Sequence, residues 1–210
     1  MDYSQTKLDA GSYNKNSYLS QERWVSYYWQ THLVKNLIST GKILEVGVGN
    51  KIVSHALSQN YEIKTADINA SLTPDFVASV DSLSFAADAE YDLVLCAEVL
   101  EHLPWNKFGD SLSELRRVTK KYAVVSLPYW GYTFGWRLKL PFLGKKTVKF
   151  KISGIKRHRF NGQHYWEIGK REFPLSLIRK KIRAAGFDIE RAFWDLDDPY
   201  HYYFVLEKKA

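Results

Sequence analysis

The sequence predicts an α/β fold in which a mostly parallel, seven-stranded sheet lies between layers of helices. Three observations support this fold class. An apolar run of strand-forming residues, Lys42 to Val46, leads directly into two closely spaced glycines and then into a helical pattern. Predicted strands and helices then alternate, which is typical of right-handed crossovers between parallel strands. Two neighbouring strands at the end of the chain predict an antiparallel last strand.

The composition predicts one globular domain with a single core. The chain has 210 residues, of which 45% are hydrophobic and 25% charged. No apolar run approaches the roughly 18 residues of a membrane span, and Met1 to Tyr3 do not begin a signal peptide. Cys96 is the single cysteine and lies in an apolar run, so no internal disulfide can form and a reducing, cytoplasmic location is expected.

The net charge of +7 permits anionic partners such as nucleic acid or phosphate-bearing substrates. Much of the excess lies between Arg137 and Arg159. A solvated basic surface without a ligand is the alternative interpretation of this stretch.

Residues 1–40 are expected to form an arm followed by one helix. Residues 1–19 show no sustained apolar period, whereas Ser20 suits an N-cap. The apolar residues that follow repeat every four positions: Val25, Trp29, Leu33 and Leu37. The helix is expected to end near Thr40, with Gly41 in a left-handed C-terminal cap.

Residues 41–127 carry the alternating pattern of the sheet. The predicted strands are 42–46, 61–67, 76–80, 92–97 and 122–127. A helix is expected over about 50–58, and Leu112, Leu115 and Val118 mark another before the fifth strand.

The remaining chain divides into two parts. Residues 128–172 combine Pro, Gly, aromatic residues and cations, and form an insertion for which no specific elements are predicted. Residues 173–210 return to a regular pattern, with a helix from about Pro174 to Ala185 and strands over 187–194 and 202–206.

The turn after the first strand has the features of a ligand site. Gly47 and Gly49 lack a Cβ, so the backbone can turn tightly and approach a bound molecule. The following helix directs its free N–H groups and its positive end at that ligand. Dinucleotide folds use the spacing Gly-x-Gly-x-x-Gly, but Ile52 occupies the third position, so a dehydrogenase is disfavoured.

Four ordered motifs resemble those of the class I S-adenosylmethionine-dependent methyltransferases, in particular the subgroup that acts on small molecules and quinones. They are Glu45-x-Gly47-x-Gly49, Asp67 at the end of the second strand, Asp81-Ser82-Leu83, and Tyr91-Asp92-Leu93-Val94-Leu95 followed by Ala97-Glu98-Val99-Leu100-Glu101-His102-Leu103-Pro104. The resemblance covers residues 41–127 and, more loosely, the whole chain. It implies a three-layer Rossmann-like sandwich, methyl transfer, and S-adenosylmethionine as the cofactor, with S-adenosylhomocysteine as the product.

The resemblance also implies where the cofactor binds. Asp67 would accept hydrogen bonds from both ribose hydroxyls, and Glu45 would contact the amino-acid end. Asp81 and Ser82 would lie against the adenine. The alternatives are a turn-forming role for Asp67 and a buried Glu45 satisfied by backbone N–H groups. The expected cofactor-binding residues are Glu45, Gly47, Gly49, Asp67, Ile68, Asp81, Ser82, Cys96, Ala97 and Arg23.

Three of these residues are included for other reasons. Cys96 and Ala97 lie at the carboxyl end of the fourth strand, where ligands bind in open α/β sheets. Cys96 is expected to be a small buried hydrophobe and not a nucleophile, because no neighbouring cation lowers its pKa. Arg23 would pair with the cofactor carboxylate if the first helix folds over the site.

Lys51 departs from the family pattern, because family members commonly have a third glycine at this position. A lysine at a helix start is electrostatically unfavourable. Its side chain could crowd the cofactor or reach towards the cofactor carboxylate.

A general base is needed in methyl transfer only when the acceptor must lose a proton. The candidates are His102, Glu98 and His164. Helical spacing would place Glu98 and His102 on one face, which also suits an ion pair or a helix cap. No metal site is expected, because no second cluster with ligand spacing appears.

The predicted function is methyl transfer to a small or anionic acceptor, so the expected partner is a small-molecule substrate. Aromatic residues of the insertion are expected to line an acceptor pocket, form a lid, or cap the sheet without touching a ligand. One alternative is an RNA methyltransferase that uses the basic insertion. Another is a non-catalytic binding module, which Lys51 suggests. The sequence predicts no oligomeric state.

Overall fold

The structure is a computed structural model that describes residue 11 and residues 18–142 and 144–209. The predicted arm over residues 1–19 falls almost entirely outside the described residues. The elements, in chain order, are α1 (Gln21–Leu37), β1 (Lys42–Val46), α2 (Ile52–Leu57), β2 (Glu62–Asp67), β3 (Phe76–Val77), β4 (Tyr91–Ala97), α3 (Phe108–Val118), β5 (Thr119–Pro128), β6 (Tyr132–Leu140), β7 (Gly144–Ile152), α4 (Leu175–Ala184), β8 (Phe187–Trp194) and β9 (His201–Lys208). Short 3-10 turns span Ala70–Leu72, Leu100–His102 and Trp105–Lys107.

A seven-stranded sheet organises the molecule, as the sequence predicts. Its strand order is β3-β2-β1-β4-β5-β9-β8. The first five of these strands are parallel, whereas β9 runs antiparallel to both β5 and β8. The predicted Rossmann-like fold with an antiparallel last strand is therefore confirmed.

The central strands are apolar because both faces of the sheet are covered. Ile43 and Leu44 of β1 and Leu93 and Val94 of β4 have no exposed surface, which explains the continuous apolar runs in the sequence. In the register, Val46 lies opposite both Ala66 and Cys96. The carboxyl ends of β1, β2 and β4 therefore meet at one edge of the sheet.

Helix α1 begins as predicted and ends earlier. The Ser20 hydroxyl accepts a hydrogen bond from the Arg23 backbone N–H at 3.4 Å. The helix stops at Leu37 because Ile38 adopts extended backbone, so the prediction of a left-handed cap at Gly41 is wrong. Gly41 instead lies against Asp92, where an added Cβ would approach Asp92 Oδ2 to 2.8 Å.

Two further boundaries differ from the prediction. Strand β3 covers only Phe76–Val77, and residues 78–80 continue as a loop, because β2 offers no partners beyond Asp67. Helix α2 begins at Ile52 and not at residue 50.

The predicted insertion forms a separate two-stranded sheet and then returns to the body of the protein. Strands β6 and β7 pair from Tyr132–Ile152 to Leu140–Gly144. The chain comes back to the main sheet at a bridge between Tyr129 and Ile168. No helix in residues 18–142 and 144–209 has the length and apolarity needed to cross a membrane.

Candidate active site

A cavity of about 300 Å³ opens at the sheet edge where β1, β2 and β4 end. This is the place where open α/β sheets bind their ligands. Its walls come from the glycine turn, the loops after β2, β3 and β4, part of α1, and two segments from the last third of the chain. The lining segments are 45–50, 67–69, 78–80, 97–99, 101–103 and 163–164, together with Tyr18, Arg23, Tyr27, Gln30, Val53 and Tyr200.

The glycine turn requires its first glycine. Gly47 has a φ of 85°, and its N–H donates to the Ala66 carbonyl at 2.8 Å. A Cβ at this position would come within 2.2 Å of Val99 Cγ2, which real side chains do not allow. The turn is therefore packed closely between β2 and the loop after β4.

Lys51 occupies a left-handed backbone position and turns its side chain away from the cavity. Its φ of 63° is a conformation that favours glycine, the residue that the resemblance implies at this position. The Lys51 ammonium donates to the carbonyl and the hydroxyl of Thr73, both at 2.7 Å. Lys51 does not line the cavity, so the expectation that it crowds a bound molecule is wrong for this structure.

Asp67 lies on the cavity wall and is held by backbone N–H groups. Its Oδ2 accepts from the Val48 N–H at 2.9 Å, and its Oδ1 accepts from the Asn69 N–H at 2.8 Å. Burial raises the pKa of Asp67 above its usual range, and these backbone hydrogen bonds oppose that shift. Each carboxylate oxygen has further lone pairs, so a fixed pair of acceptors remains for the hydroxyls of a ligand.

Glu45 is buried at the same end of the cavity. Its Oε2 has no hydrogen-bond partner among the described residues. Burial, together with a smaller effect of the Asp67 charge, raises the pKa of Glu45 to about 8, although hydrogen bonds from Ser54 act in the opposite direction. A cationic ligand group beside Oε2 would supply the missing partner of this carboxylate. Glu45 therefore fits the amino-acid end of the cofactor.

Three of the predicted cofactor residues do not line the cavity. Asp81 accepts from the Ser79 hydroxyl and lies 3.3 Å from Lys107 Nζ. Ser82, the next residue, is also outside the cavity lining. This part of the cavity wall is formed by residues 78–80, which follow the short strand β3. Cys96 is fully buried, and burial together with the charges of Glu101 and Glu98 raises the pKa of its thiol well above the usual range, as expected for an inert side chain.

The other predicted residues do lie on the cavity wall: Gly47, Gly49, Ile68, Ala97 and Arg23, in addition to Glu45 and Asp67. Arg23 reaches the site because α1 packs over the sheet edge. Its Nη1 lies 3.5 Å from His201 Nε2, and its guanidinium lies 4.6 Å from the ring centre of Tyr18.

The second end of the cavity brings together the three predicted proton acceptors, Glu98, His102 and His164. Residues 98–102 do not form an α-helix, because Glu98 has a φ of 55° and only Leu100–His102 make a 3-10 turn. The prediction that Glu98 and His102 share one helical face is therefore wrong. The Glu98 carboxylate instead accepts from the Ser126 hydroxyl at 3.0 Å.

The two histidines at this end are oriented by their Nδ1 atoms. His102 Nδ1 donates to the Gln163 carbonyl at 3.0 Å, and His164 Nδ1 donates to the Glu167 carboxylate at 3.0 Å. The ring centres lie 5.0 Å apart. Burial, reinforced by His164, lowers the pKa of His102 to about 4, so this imidazole is neutral at pH 7.

Several residues of the site are absent from the sequence-based prediction. Glu101 lines the cavity between Glu98 and His102, and the short run Glu-x-x-Glu-His is the one signal that could have indicated it. Behind the wall, Asp198 accepts from His201 Nδ1 and from the Tyr203 hydroxyl, both at 2.6 Å. No sequence pattern indicates this second group, because its members meet only when β9 enters the sheet.

The aromatic residues of the insertion contribute less to the cavity than expected. His164 is on the wall, whereas the other ring-bearing residues expected there are not among the lining residues: Tyr129, Trp130, Tyr132, Phe134, Trp136, Tyr165 and Trp166. Tyr132, Phe134 and Trp136 are exposed on the hairpin, whereas Trp166 is fully buried. The prediction that these rings line an acceptor pocket is therefore wrong for most of them.

Comparison with known proteins supports one family. A family model described as a methyltransferase domain matches residues 44–127. None of the curated proteins compared with this chain matches it.

Solved structures share the fold at low sequence identity. The CcbJ methyltransferase from Streptomyces caelestis aligns with a TM-score of 0.62 at 12% identity, over 100% of both chains. The 1,6-didemethyltoxoflavin-N1-methyltransferase of Burkholderia thailandensis, with bound 1,6-didemethyltoxoflavin and S-adenosylhomocysteine, aligns with a TM-score of 0.60 at 15% identity, over 91% of this chain and 79% of that one. The magnesium protoporphyrin IX methyltransferase of Synechocystis PCC 6803, with bound S-adenosylmethionine, aligns with a TM-score of 0.58 at 16% identity. The alignment covers 97% of this chain and 86% of that one.

The domain match covers the strands and loops that build the cofactor end of the cavity, and the fold extends the likeness to the whole sheet. On these grounds residues 44–127 match the methyltransferase-domain family, and the whole chain shares the fold of solved methyltransferases that bind S-adenosylmethionine or S-adenosylhomocysteine.

Proposed function

We propose that this protein transfers the methyl group of S-adenosylmethionine to a small-molecule acceptor bound at the Glu98 end of the cavity. The observation that carries the proposal is the pair of acids at the other end. Asp67 presents acceptor atoms fixed by two backbone N–H groups, and Glu45 presents a buried oxygen without a partner among the described residues. The solved structures of similar fold that hold S-adenosylmethionine or its product support the same cofactor.

Each residue at the cofactor end has a physical role in this proposal. Asp67 accepts hydrogen bonds from the two ribose hydroxyls, and charge-assisted hydrogen bonds of this kind contribute about 1.5–3 kcal/mol each. Glu45 pairs with the ammonium group, and Arg23 pairs with the carboxylate of the same amino-acid moiety. The bound cofactor supplies an activated methyl group on a sulfonium.

The chain's remaining task is to hold the acceptor in line and to exclude water. Glu98, His102 and His164 face the space beyond the cofactor end and are the proposed proton acceptors. Among them, His102 is a weak base because its pKa is about 4. His164 is better supported by its geometry, because the Glu167 carboxylate accepts from Nδ1 and so leaves the lone pair of Nε2 for a substrate proton.

The proposal is tested by calorimetric titration of the purified chain with S-adenosylmethionine and S-adenosylhomocysteine. We expect micromolar binding of both, with affinity reduced about tenfold to a hundredfold by Asp67→Ala, because two hydrogen bonds to hydroxyls are lost. Asp197→Ala is the matched control, since Asp197 is partly exposed and pairs with Arg137 away from the cavity. Absence of binding in the wild-type chain, or equal affinity in Asp67→Ala, would contradict the proposal.

A second candidate, methyl transfer to RNA, is favoured by one specific observation. Between Tyr129 and Trp166 the sequence has nine Lys or Arg residues and no Asp or Glu. Four of these cations have a carboxylate or carbonyl partner within the protein: Arg137 pairs with Asp197, Arg157 pairs with Glu172, Lys149 donates to the Trp194 carbonyl, and Lys151 donates to the Tyr129 carbonyl. The small-molecule acceptor therefore stands first, and steep salt-dependent RNA binding by the purified chain would reverse this order.

The non-catalytic alternative loses its original support. Lys51 suggested it, and the Lys51 side chain points to Thr73 and away from the cavity. The calorimetric titration described above also tests this alternative, because a binding module without cofactor would show no heat with either compound.

A further inference from the structure

Glu101 is a carboxylate buried without a partner. Its side chain has no exposed surface, and neither oxygen has a hydrogen-bond partner among the described residues. Burying an unpaired carboxylate costs several kcal/mol or more, so such groups are normally paired, protonated or bound to a metal. Both Glu101 oxygens are therefore available to a ligand.

Two histidines stand beside this carboxylate with one nitrogen each available. One ligand atom from each of Glu101, His102 and His164 can be chosen so that all three lie within 4.8 Å of one another. Glu101 Oε1 is 3.8 Å from His102 Nε2. Since the Nδ1 atoms donate to the Gln163 carbonyl and to the Glu167 carboxylate, both Nε2 atoms carry a free lone pair.

This pattern matches the surroundings of metal-binding histidines in general. A histidine that ligates a metal usually donates its other ring N–H to a carbonyl or a carboxylate, which fixes the tautomer and the ring orientation. Both histidines have such a partner before any ion is present. Lys170 in turn lies 3.3 Å from Glu167, so the carboxylate behind His164 is itself held in place.

We propose that Glu101, His102 and His164 bind one divalent first-row transition-metal ion at the acceptor end of the cavity. Two imidazoles and one carboxylate suit zinc, cobalt, iron or manganese, whereas magnesium prefers oxygen ligands throughout. The three ligands come from a 3-10 turn and from the segment that follows the hairpin, so they meet only in the folded chain. The sequence predicts no metal for the same reason, because no spacing along the chain reveals His164 as the third ligand.

The ion would restrict the class of acceptor, an extension that rests on the proposed function. Three protein ligands leave coordination positions open, and all three ligand residues line the cavity. An acceptor with a hydroxyl or carboxylate oxygen would fill an open position and be oriented towards the methyl group. His102 and His164 are then ligands, and Glu98 is the carboxylate that remains for accepting a proton at this end.

The site is tested on the full-length chain after dialysis against a chelator, by titration with Co²⁺ followed by visible absorption and with Zn²⁺ followed by calorimetry. We expect one ion per chain with micromolar or tighter affinity. Glu101→Gln and His164→Ala should each weaken binding at least tenfold, as loss of one ligand out of three does. His55→Ala is the control, because His55 is exposed on α2, and its affinity should equal that of the wild type.

Folding and function are separated by two further measurements. Glu101→Gln replaces an unpaired buried carboxylate with a neutral group of the same shape, so the metal-free variant should melt no lower than the wild type. S-adenosylhomocysteine should bind the metal-free chain, because the Asp67 end has no part in the metal site. Lack of Co²⁺ and Zn²⁺ binding, or equal affinity in Glu101→Gln, His164→Ala and the wild type, would overturn the metal site, whatever the cofactor titration shows.

Discussion

The segment between Tyr129 and Phe173 has an exposed half, the hairpin β6–β7, and a returning half in which residues 164–169 are buried or half-buried. In the hairpin β6–β7, alternate residues form an apolar face in water, and Trp136 is 59% exposed. In the returning half, Trp166 is fully buried, its indole N–H donates to the Leu103 carbonyl at 3.2 Å, and its ring packs 4.8 Å from that of Phe108.

The difference teaches that partners far away in the chain, and not local composition, decide which half becomes core. Trp166 meets Leu103 and Phe108, which belong to the sheet and its helices. Trp136 faces Val148 across the hairpin, and both side chains are exposed. The returning half also carries His164, so it builds one wall of the cavity while the hairpin does not.

The largest expected effect tests the buried half. Trp166→Ala should lower the free energy of unfolding by about 3–5 kcal/mol, because it leaves a cavity among Trp105, Phe108 and Phe173 and an unpaired Leu103 carbonyl. Chemical denaturation followed by far-UV circular dichroism measures it. Trp166→Phe should cost less, and equal stability of Trp166→Ala and the wild type would remove Trp166 from the core.

The next effect is the pH dependence of stability that buried Glu45 produces. Because Glu45 has a pKa of about 8 in the folded chain and about 4.5 when unfolded, the native state holds an extra proton between these values. Stability should therefore fall as pH rises from about 4.5 to about 8, by at most about 1.4 kcal/mol per pH unit. The groups facing Glu45 are Asp67, Tyr27 and the Ser54 hydroxyl.

Glu45→Gln isolates this contribution. Urea denaturation of both proteins at several pH values should show a flatter dependence for the variant across the same window. A dependence of equal slope in the two proteins would mean that another group carries the proton.

A smaller effect is expected at Lys51. Lys51→Gly relieves a left-handed backbone position but loses two hydrogen bonds to Thr73 and increases the freedom of the unfolded chain. These contributions offset each other, so stability should change by less than about 1 kcal/mol. Affinity for S-adenosylhomocysteine should stay within about twofold, measured by calorimetry, because the side chain points away from the cavity. A tenfold gain in affinity would show that Lys51 obstructs the site after all.

The smallest effect is expected on the exposed half. Trp136→Ser should change the free energy of unfolding by less than about 0.5 kcal/mol, because the ring is mainly in water and stacks on no core residue. The same substitution at Trp24, which is 51% exposed on α1, is the matched control. A loss as large as that of Trp166→Ala would mean that the apolar face of the hairpin is covered in solution.

Sequence reasoning succeeds where the signal is local. The apolar runs of β1 and β4, Gly47 in its strained turn and Asp67 at the end of β2 depend on neighbours a few positions away, and all were predictable. It fails where distant segments meet. In the sequence Glu101 looks like a surface acid, and only the fold buries it. His164 follows the whole hairpin in the chain, so its position beside Glu101 also depends on the fold. Lys51 shows a third case, because a left-handed backbone position that favours glycine is occupied by a lysine.

The pairing of Tyr132 with Ile152 means that the hairpin leaves and re-enters the body of the protein at one point. A hairpin attached in this way can be shortened, lengthened or exchanged without moving the two points at which it joins the body of the protein. We therefore expect related proteins to vary this hairpin in length and sequence while the sheet and cavity keep their geometry. The position is also suitable for grafting a peptide or a small domain onto this protein.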